Sequence, residues 1–220
     1  TVDLVDPVDG VVRQAGRFIT IAGVGVHSPP LQPRRTSVLP KAFSAPPLLT
    51  PAPVCDDTSI LSGVKVLDLS NIIAGPAAGR TLSEFGAQVI RIDPPTPQAG
   101  PFATMWFGLD VNQGKRAIIL DLKTKAGQAT LRKLLTDSDV VLHNFLDHTA
   151  ETLGIDHATL QSINPNIISC QISAWGGSEG GPLKDDPAFD PVLQAATGIM
   201  VRYGSLERPQ LHGIASCVDY

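Results

Sequence analysis

Residues 64–93 restrict the fold of this chain more than any other stretch, because they read as strand, tight turn, helix and strand. Val64, Val66, Leu67 and Leu69 make a short, nearly continuous apolar run, the pattern of a strand buried on both faces. Gly75-Pro76 then opens a helix, with Pro at the first helical position, where its missing N–H costs nothing. Leu82 and Phe85 give that helix an inward face, and Gly86 ends it. Val89, Ile90 and Ile92 form the next strand, which Asp93 closes before Pro94-Pro95. The first turn of such a βαβ unit presents backbone N–H groups at a helix N-terminus, a natural seat for a phosphate. Many α/β proteins contain one, so the unit points to a fold class and leaves the function open.

The alternation continues downstream. Ala117-Ile-Ile-Leu-Asp121 is a third strand, and 126–135 an amphipathic helix with Leu131, Leu134 and Leu135 facing in. Val140-Val-Leu142 is a fourth strand, ending in His143-Asn144-Phe145. Short helices follow over 149–153 and 158–163, the second capped by Asp156, and 167–172 is a fifth strand. A glycine-rich loop at 176–181, either a flexible connection or a lid, precedes a helix over about 187–200; the chain closes with a strand and turn at 211–220. The long stretch 94–114, holding Trp106 and Phe107, carries no regular pattern and has the length of a functional or lid-like loop. Strands alternating with helices over short connections predict an α/β fold with a doubly wound, mainly parallel, Rossmann-like sheet over residues 60–220.

Residues 1–59 differ. Residues 17–26 could form a strand, but Pro29-Pro30, Pro33, Pro40, Pro46-Pro47, Pro51 and Pro53 forbid long regular elements. Asp3, Asp6 and Asp9 are wrong for a transit peptide despite the nearby arginines. The segment therefore reads as a proline-rich arm or linker. The first residue is Thr rather than Met, which points to a piece of something longer or to processing.

Several classes are excluded as partners or cofactors. A net charge of -4 gives no reason to expect nucleic acid or a membrane surface, and no apolar run approaches the ~18 residues of a spanning helix. Cys55, Cys170 and Cys217 are odd in number and lack metal-ligand spacing, so they read as reduced thiols of a cytoplasmic protein; the mitochondrial matrix would suit them equally. No metal is expected. No Gly-x-Gly-x-x-Gly follows the first strand, which argues against a nicotinamide cofactor.

An ordered set of motifs covers most of 61–220: Leu61-Ser-Gly-Val-Lys-Val-Leu-Asp-Leu-Ser70, Ala74-Gly-Pro-Ala77, Phe85-Gly-Ala-Gln-Val-Ile-Arg-Ile-Asp93, Asn112-Gln-Gly-Lys-Arg116, Leu120-Asp-Leu-Lys-Thr124, Asp139-Val-Val-Leu-His-Asn-Phe145, Leu153-Gly-Ile-Asp156, Asn164-Pro-Asn-Ile-Ile168 and Gln194-Ala-Ala-Thr-Gly198. Together they resemble the N-terminal half of the class III CoA-transferases, the formyl-CoA and carnitine CoA-transferase family that also holds α-methylacyl-CoA racemase. The resemblance implies a large Rossmann-like domain, a second small domain, and a homodimer of interlinked chains. It implies acyl-CoA and a carboxylic acid as substrates, with coenzyme A carried as substrate and no tightly bound cofactor.

The family's nucleophile is an aspartate, and its match here is Asp219, one residue further from Gly213 than is usual. A carboxylate that attacks a thioester gives an acyl–aspartyl anhydride, dividing one hard exchange into easier steps. The resemblance places CoA against Asn71, Ile72, Ile73 and Ala74 at the adenosine end, Leu122, Lys123 and Thr124 beside the nucleotide, and Asn144 and Phe145 near the pantetheine. Lys123 reads equally as a solvated lysine before a helix. Three departures reduce positive charge: Pro94 and Thr152 stand where the family often has basic residues, and Leu146-Asp147-His148 replaces an Arg-Pro-Gly. Each lost charge-assisted contact would weaken CoA binding by roughly 1.5–3 kcal/mol. His143 and His148 fall near the site by position, Asp190 caps a helix or buttresses the site, and Trp106 and Trp175 read as packing residues.

Residues 40–58 resemble the family's closing segment, which would make this chain the junction of two fused units; a plain linker is the other reading. A racemase of the same superfamily is the competing function, but its base lies in a Gly-His-Asp step, and the matching residues here are Ala188-Phe189-Asp190. A catalytically incomplete copy that binds CoA or dimerises without turnover is the third.

Overall fold

The structure, a computed structural model, describes residues 2–6, 10–14, 59–96, 105–177 and 181–213. The chain divides into two compact units, 1–54 and 55–220. In the first, β1 (Val2–Asp6) and β2 (Gly10–Gln14) pair as an antiparallel hairpin, with Val2 opposite Gln14 and Asp6 opposite Gly10. The reading of 1–59 as a proline-rich arm or linker places no strand at 2–6 or 10–14, where this hairpin stands. The proline clusters that forbid strands begin later in the chain, and Pro7-Val-Asp-Gly10 carries turn residues between two alternating runs. The strand expected at 17–26 lies outside the described residues.

The second unit holds a five-stranded parallel sheet. Its strands are β3 (Lys65–Asp68), β4 (Gln88–Asp93), β5 (Arg116–Ile119), β6 (Val140–His143) and β7 (Ile168–Gln171), in the order β5-β4-β3-β6-β7. The connecting helices are α1 (Ala74–Glu84), α2 (Met105–Asp110), α3 (Lys125–Thr136), α4 (Asp147–Leu153) and α5 (His157–Ile163). After β7 come α6 (Asp190–Ala196) and α7 (Ile199–Tyr203). This is the α/β architecture expected from the alternating pattern.

Side-chain alternation in β3 sorts the core into two layers. Leu67 and Leu69 pack with Leu131 and Leu135 of α3 and with Ile155 and Leu160 around α5. Val66 packs on the other face with Ala87, Val89 and Leu82. Asp68 shares that second face, under α1, and is fully buried.

Helix α1 begins two residues before Pro76, which still sits in the first turn, where N–H groups have no intrahelical partner. Phe85 does not face in as expected. It is 50% exposed, because it is already the C-terminal cap, and Gly86, at φ +99°, turns the chain away. The irregular stretch expected over 94–114 contains α2, which Arg80 anchors by an ion pair to Asp110 at 2.7 Å. The single helix expected over 187–200 is two, α6 and α7, because Gly198 between them takes a left-handed φ of +78°. Residues 211–213 are not a strand, and 214–220 lie outside the described residues.

Candidate functional site

From β3 the chain winds outward through β4 to β5, then crosses back to lay β6 on the other side of β3. The strand order therefore reverses between β3 and β6. The loops that leave their C-terminal ends diverge there and open a crevice, the usual ligand position in sheets of this type. Asn71 follows β3 and Asn144 follows β6, and the two close on each other. Asn144 Oδ1 accepts from the Asn71 backbone N–H at 2.9 Å, and Asn144 Nδ2 donates to the Asn71 carbonyl at 2.9 Å. Asn144 thus holds the turn across the reversal.

The turn is bent hard. Ile72 has φ +70°, and among the described non-glycine residues it alone takes a positive φ. For a β-branched side chain that conformation costs of order 1–3 kcal/mol, and such strain collects at ligand sites. Ile73 is the N-cap of α1 and supplies no side-chain hydrogen bond, so no side chain there satisfies the first-turn N–H groups of the helix.

Residues 71–74, 144 and 145 line one cavity of about 440 Å³, with Leu146, Asp147, Trp175, Lys184, Asp186 and Phe189 among its other walls. Its surface is mostly apolar. Lys184 is the basic residue on it, set against Asp147 and Asp186. The fold thus brings 71–74 together with 144 and 145. Leu122, Lys123 and Thr124 are not in this cavity: they follow the edge strand β5. Thr124 caps α3 by accepting from the Gly127 N–H at 3.0 Å, and the Lys123 N–H donates to Asp121 Oδ1 at 3.0 Å. Trp175, read as a packing residue, lines the cavity, while its Nε1 is buried with no hydrogen-bond partner among the described residues. Sequence reasoning also missed Phe189, Asp147 and Lys184. Asp147 sits in the first turn of α4, where a negative charge is favourable and where it accepts from Gln171 Nε2 at 2.8 Å.

Behind the turn lies a buried ion pair. Lys115 Nζ donates to Asp68 Oδ2 at 2.6 Å, to the Pro76 carbonyl at 2.7 Å and to Asn112 Oδ1 at 3.0 Å. Burial lowers the Lys115 pKa, and the Asp68 charge works against that shift. Asp68 Oδ1 accepts from both the N–H and the hydroxyl of Ser70. Gly79 makes the pair possible: a β-carbon there would lie 2.4 Å from Asp68 Oδ2. Basic residues near the β4 end are likewise engaged, with Arg91 paired to Asp93 at 2.6 Å.

His143 ends β6 and is 3% exposed, stacked on Phe145 with ring centroids 6.1 Å apart. Burial pushes its imidazole down to about 4, against a smaller upward pull from Asp147. Its Nδ1 has no partner among the described residues, so it is neutral near pH 7. His148 is exposed and bonds Thr149 at 3.2 Å; neither histidine lines the cavity. Asp190, in the first turn of α6, accepts from Gln194, and Gln194 in turn holds the main chain of His212. Asp219 lies outside the described residues. Among the described residues no three His, Cys, Asp or Glu side chains gather as a metal ion would require, and no helix is long and apolar enough to cross a membrane.

An open parallel sheet with its crevice at the strand-order reversal defines the doubly wound α/β proteins that hold nucleotide-like ligands there. Residues 61–220 match the family model for CoA-transferase family III, and the chain belongs to that family. It is 35% identical over 159 residues to the CoA-transferase/lyase DddD of Marinomonas sp., an alignment that takes 72% of this chain and 19% of that protein. It is 33% identical over 172 residues to the succinate–glutarate CoA-transferase of Agrobacterium fabrum, taking 70% of this chain and 42% of that one. The crystal structure of Rv3272 from Mycobacterium tuberculosis superposes with a TM-score of 0.65 at 33% identity, covering 73% of this chain and 44% of that one. The chain thus spans less than half the length of these relatives.

Proposed function

We propose that this chain is the CoA-holding part of a transferase that moves CoA from an acyl thioester to a carboxylic acid. The observation that carries this is the cavity at the strand-order reversal, walled by residues 71–74 and 144–145. The strained turn and the N-terminus of α1 offer backbone N–H groups to a phosphate. The apolar walls, Phe145 and Phe189 among them, suit the pantetheine arm or the acyl group. With Lys184 outnumbered by Asp147 and Asp186, phosphate binding there leans on backbone dipoles more than on side-chain charge. Leu122, Lys123 and Thr124, on the neighbouring loop, are left to the outer part of the nucleotide.

Asp219 is the proposed nucleophile. Its carboxylate attacks the thioester carbonyl, the C–S bond breaks, and CoA thiolate leaves an aspartyl–acyl anhydride. The thiolate then attacks the aspartyl carbonyl and releases the donor acid. The acceptor carboxylate repeats both steps in reverse, so no water, oxidant or metal enters the balance. The racemase reading finds no histidine at position 189, where Phe stands. The remaining parts of the proposal are a homodimer with interlinked chains, a cytoplasmic location, and residues 1–59 as the closing segment of a preceding fused unit.

Relatives named for succinate, glutarate and oxalate supply the probes. The test incubates the intact protein with succinyl-CoA and glutarate, or with acetyl-CoA and oxalate, and follows the new thioester by chromatography. Hydroxylamine added to the donor alone should trap a hydroxamate on Asp219, and Asp219→Asn should abolish both signals. Undiminished transfer by Asp219→Asn would sink the assignment.

A further inference from the structure

The turn 71–74 that walls the cavity is entered from Ser70 and left through Gly75 and Pro76. One buried ion pair holds both ends. At the entry, Asp68 Oδ1 accepts from the Ser70 N–H at 2.9 Å and from the Ser70 hydroxyl. At the exit, Lys115 Nζ donates to the Pro76 carbonyl at 2.7 Å, and it closes the circuit on Asp68 Oδ2 at 2.6 Å. The two ends also touch, for a β-carbon added to Gly75 would collide with the Ser70 side chain. An ammonium has three N–H donors, and the third goes to Asn112 Oδ1 at 3.0 Å, so Lys115 has none left for a ligand. Neither member of the pair lines the cavity.

Stability alone does not account for the pair, since apolar residues of like volume would serve a core as well. Between its two holds lies Ile72, whose positive φ persists only where the surrounding structure dictates it. We propose that Lys115 and Asp68 are positioning residues for CoA: by fixing residues 70 and 76 they keep the turn between them in the geometry that meets the ligand. This rests on the cavity being the CoA site.

The test uses the intact protein. Asp68→Leu with Lys115→Met removes both charges at once, so that no buried charge is stranded. Calorimetry with free CoA, which needs no turnover, should show the dissociation constant rising about tenfold. With succinyl-CoA and glutarate, the KM for succinyl-CoA should rise about tenfold while kcat stays within about twofold, because a hold on CoA serves ground state and transition state alike. A merely structural loss would lower the folded fraction, and with it kcat, at constant KM. The Asn71 amide hydrogen, bonded to Asn144, should exchange faster in the double variant. Ser70→Ala removes only the hydroxyl at the entry, leaves the ion pair, and should raise the CoA dissociation constant about threefold. If the double variant does not fold, Ser70→Ala carries the test, and an unchanged constant there overturns the proposal. In a folded double variant, an unchanged constant, a KM that stays put, a kcat that falls as far as KM rises, or an Asn71 amide that exchanges as before does the same. Ala188→Trp, which fills the cavity from a loop, is run alongside. If the unmodified protein does not bind CoA, or Ala188→Trp binds it undiminished, the CoA site and the proposal fall together. CoA binding lost in Ala188→Trp but intact in the double variant overturns the proposal alone.

Discussion

Lys115 and Asp68 form an ion pair that water does not reach, with 1% and 0% of their side chains exposed. It ties the end of β3 to the chain just before β5, and through the Pro76 carbonyl to the first turn of α1. Removing one partner strands a buried charge, so Lys115→Met should cost about 3–5 kcal/mol of stability. Removing both together, as Asp68→Leu with Lys115→Met, should cost clearly less than the sum of the single changes. Urea titration of the four proteins checks this. Additive losses would show that the pair is not coupled.

Asn144 grips the Asn71 main chain at both its N–H and its carbonyl. Its side chain is therefore spent on shape more than on ligand. Asn144→Ala leaves two partly buried backbone groups unpaired and should loosen the turn by about 1–3 kcal/mol. If the turn holds CoA, the dissociation constant for free CoA, measured by calorimetry, should rise about tenfold or more. Asn144→Asp keeps the acceptor and loses the donor, and should fall between. An unchanged constant in Asn144→Ala would remove the turn from the CoA site.

The sheet was legible because its strands are apolar runs punctuated by Gly and Pro, and because capping residues such as Asp156 mark helix starts locally. Gly198 was in plain view, yet the apolar pattern on either side hid the break that its positive φ makes. The pairing of Asn71 with Asn144 is a different matter. The two stand 73 positions apart, and they meet through strand order, which no local period encodes. Only the resemblance placed both near CoA, and it could not say that one holds the other. Asp68 did leave a signal: a lone acid inside an apolar strand must be paired if buried, and Lys115 lies in a motif already noted. Trp175 and Phe189 sit in loops whose closure over the cavity depends on the turn geometry after β7, which sequence pattern does not fix.

The buried imidazole of His143 makes stability fall in mild acid. Its folded-state value of about 4 lies below the ordinary 6.5, so between these two pH values the unfolded chain binds a proton that the folded chain refuses. Its full contribution is present above pH 6.5 and is lost progressively as pH falls toward 4, by up to about 3 kcal/mol. Asp147, whose charge raises the value, narrows that window. His143→Phe should flatten this part of the stability–pH profile in urea titrations from pH 7 to pH 4. The same slope with and without the histidine would place the titrating group elsewhere.

Ile72 and Ile73 are neighbours of the same type whose backbones make opposite demands. Ile73 is 5% exposed with φ -128°, and its truncation should behave as an ordinary core loss of about 2–5 kcal/mol. Ile72 is half-buried at φ +70°, a conformation that glycine takes without penalty. Ile72→Gly exchanges some packing for relief of about 1–3 kcal/mol of backbone strain, so it should leave the melting temperature within a few degrees of the parent. CoA affinity should nevertheless fall, because a glycine turn no longer holds its N–H groups in one orientation. Calorimetry with free CoA and thermal melts of Ile72→Gly and Ile73→Gly separate the two positions. Equal destabilisation at both would show that the turn at Ile72 stores no strain.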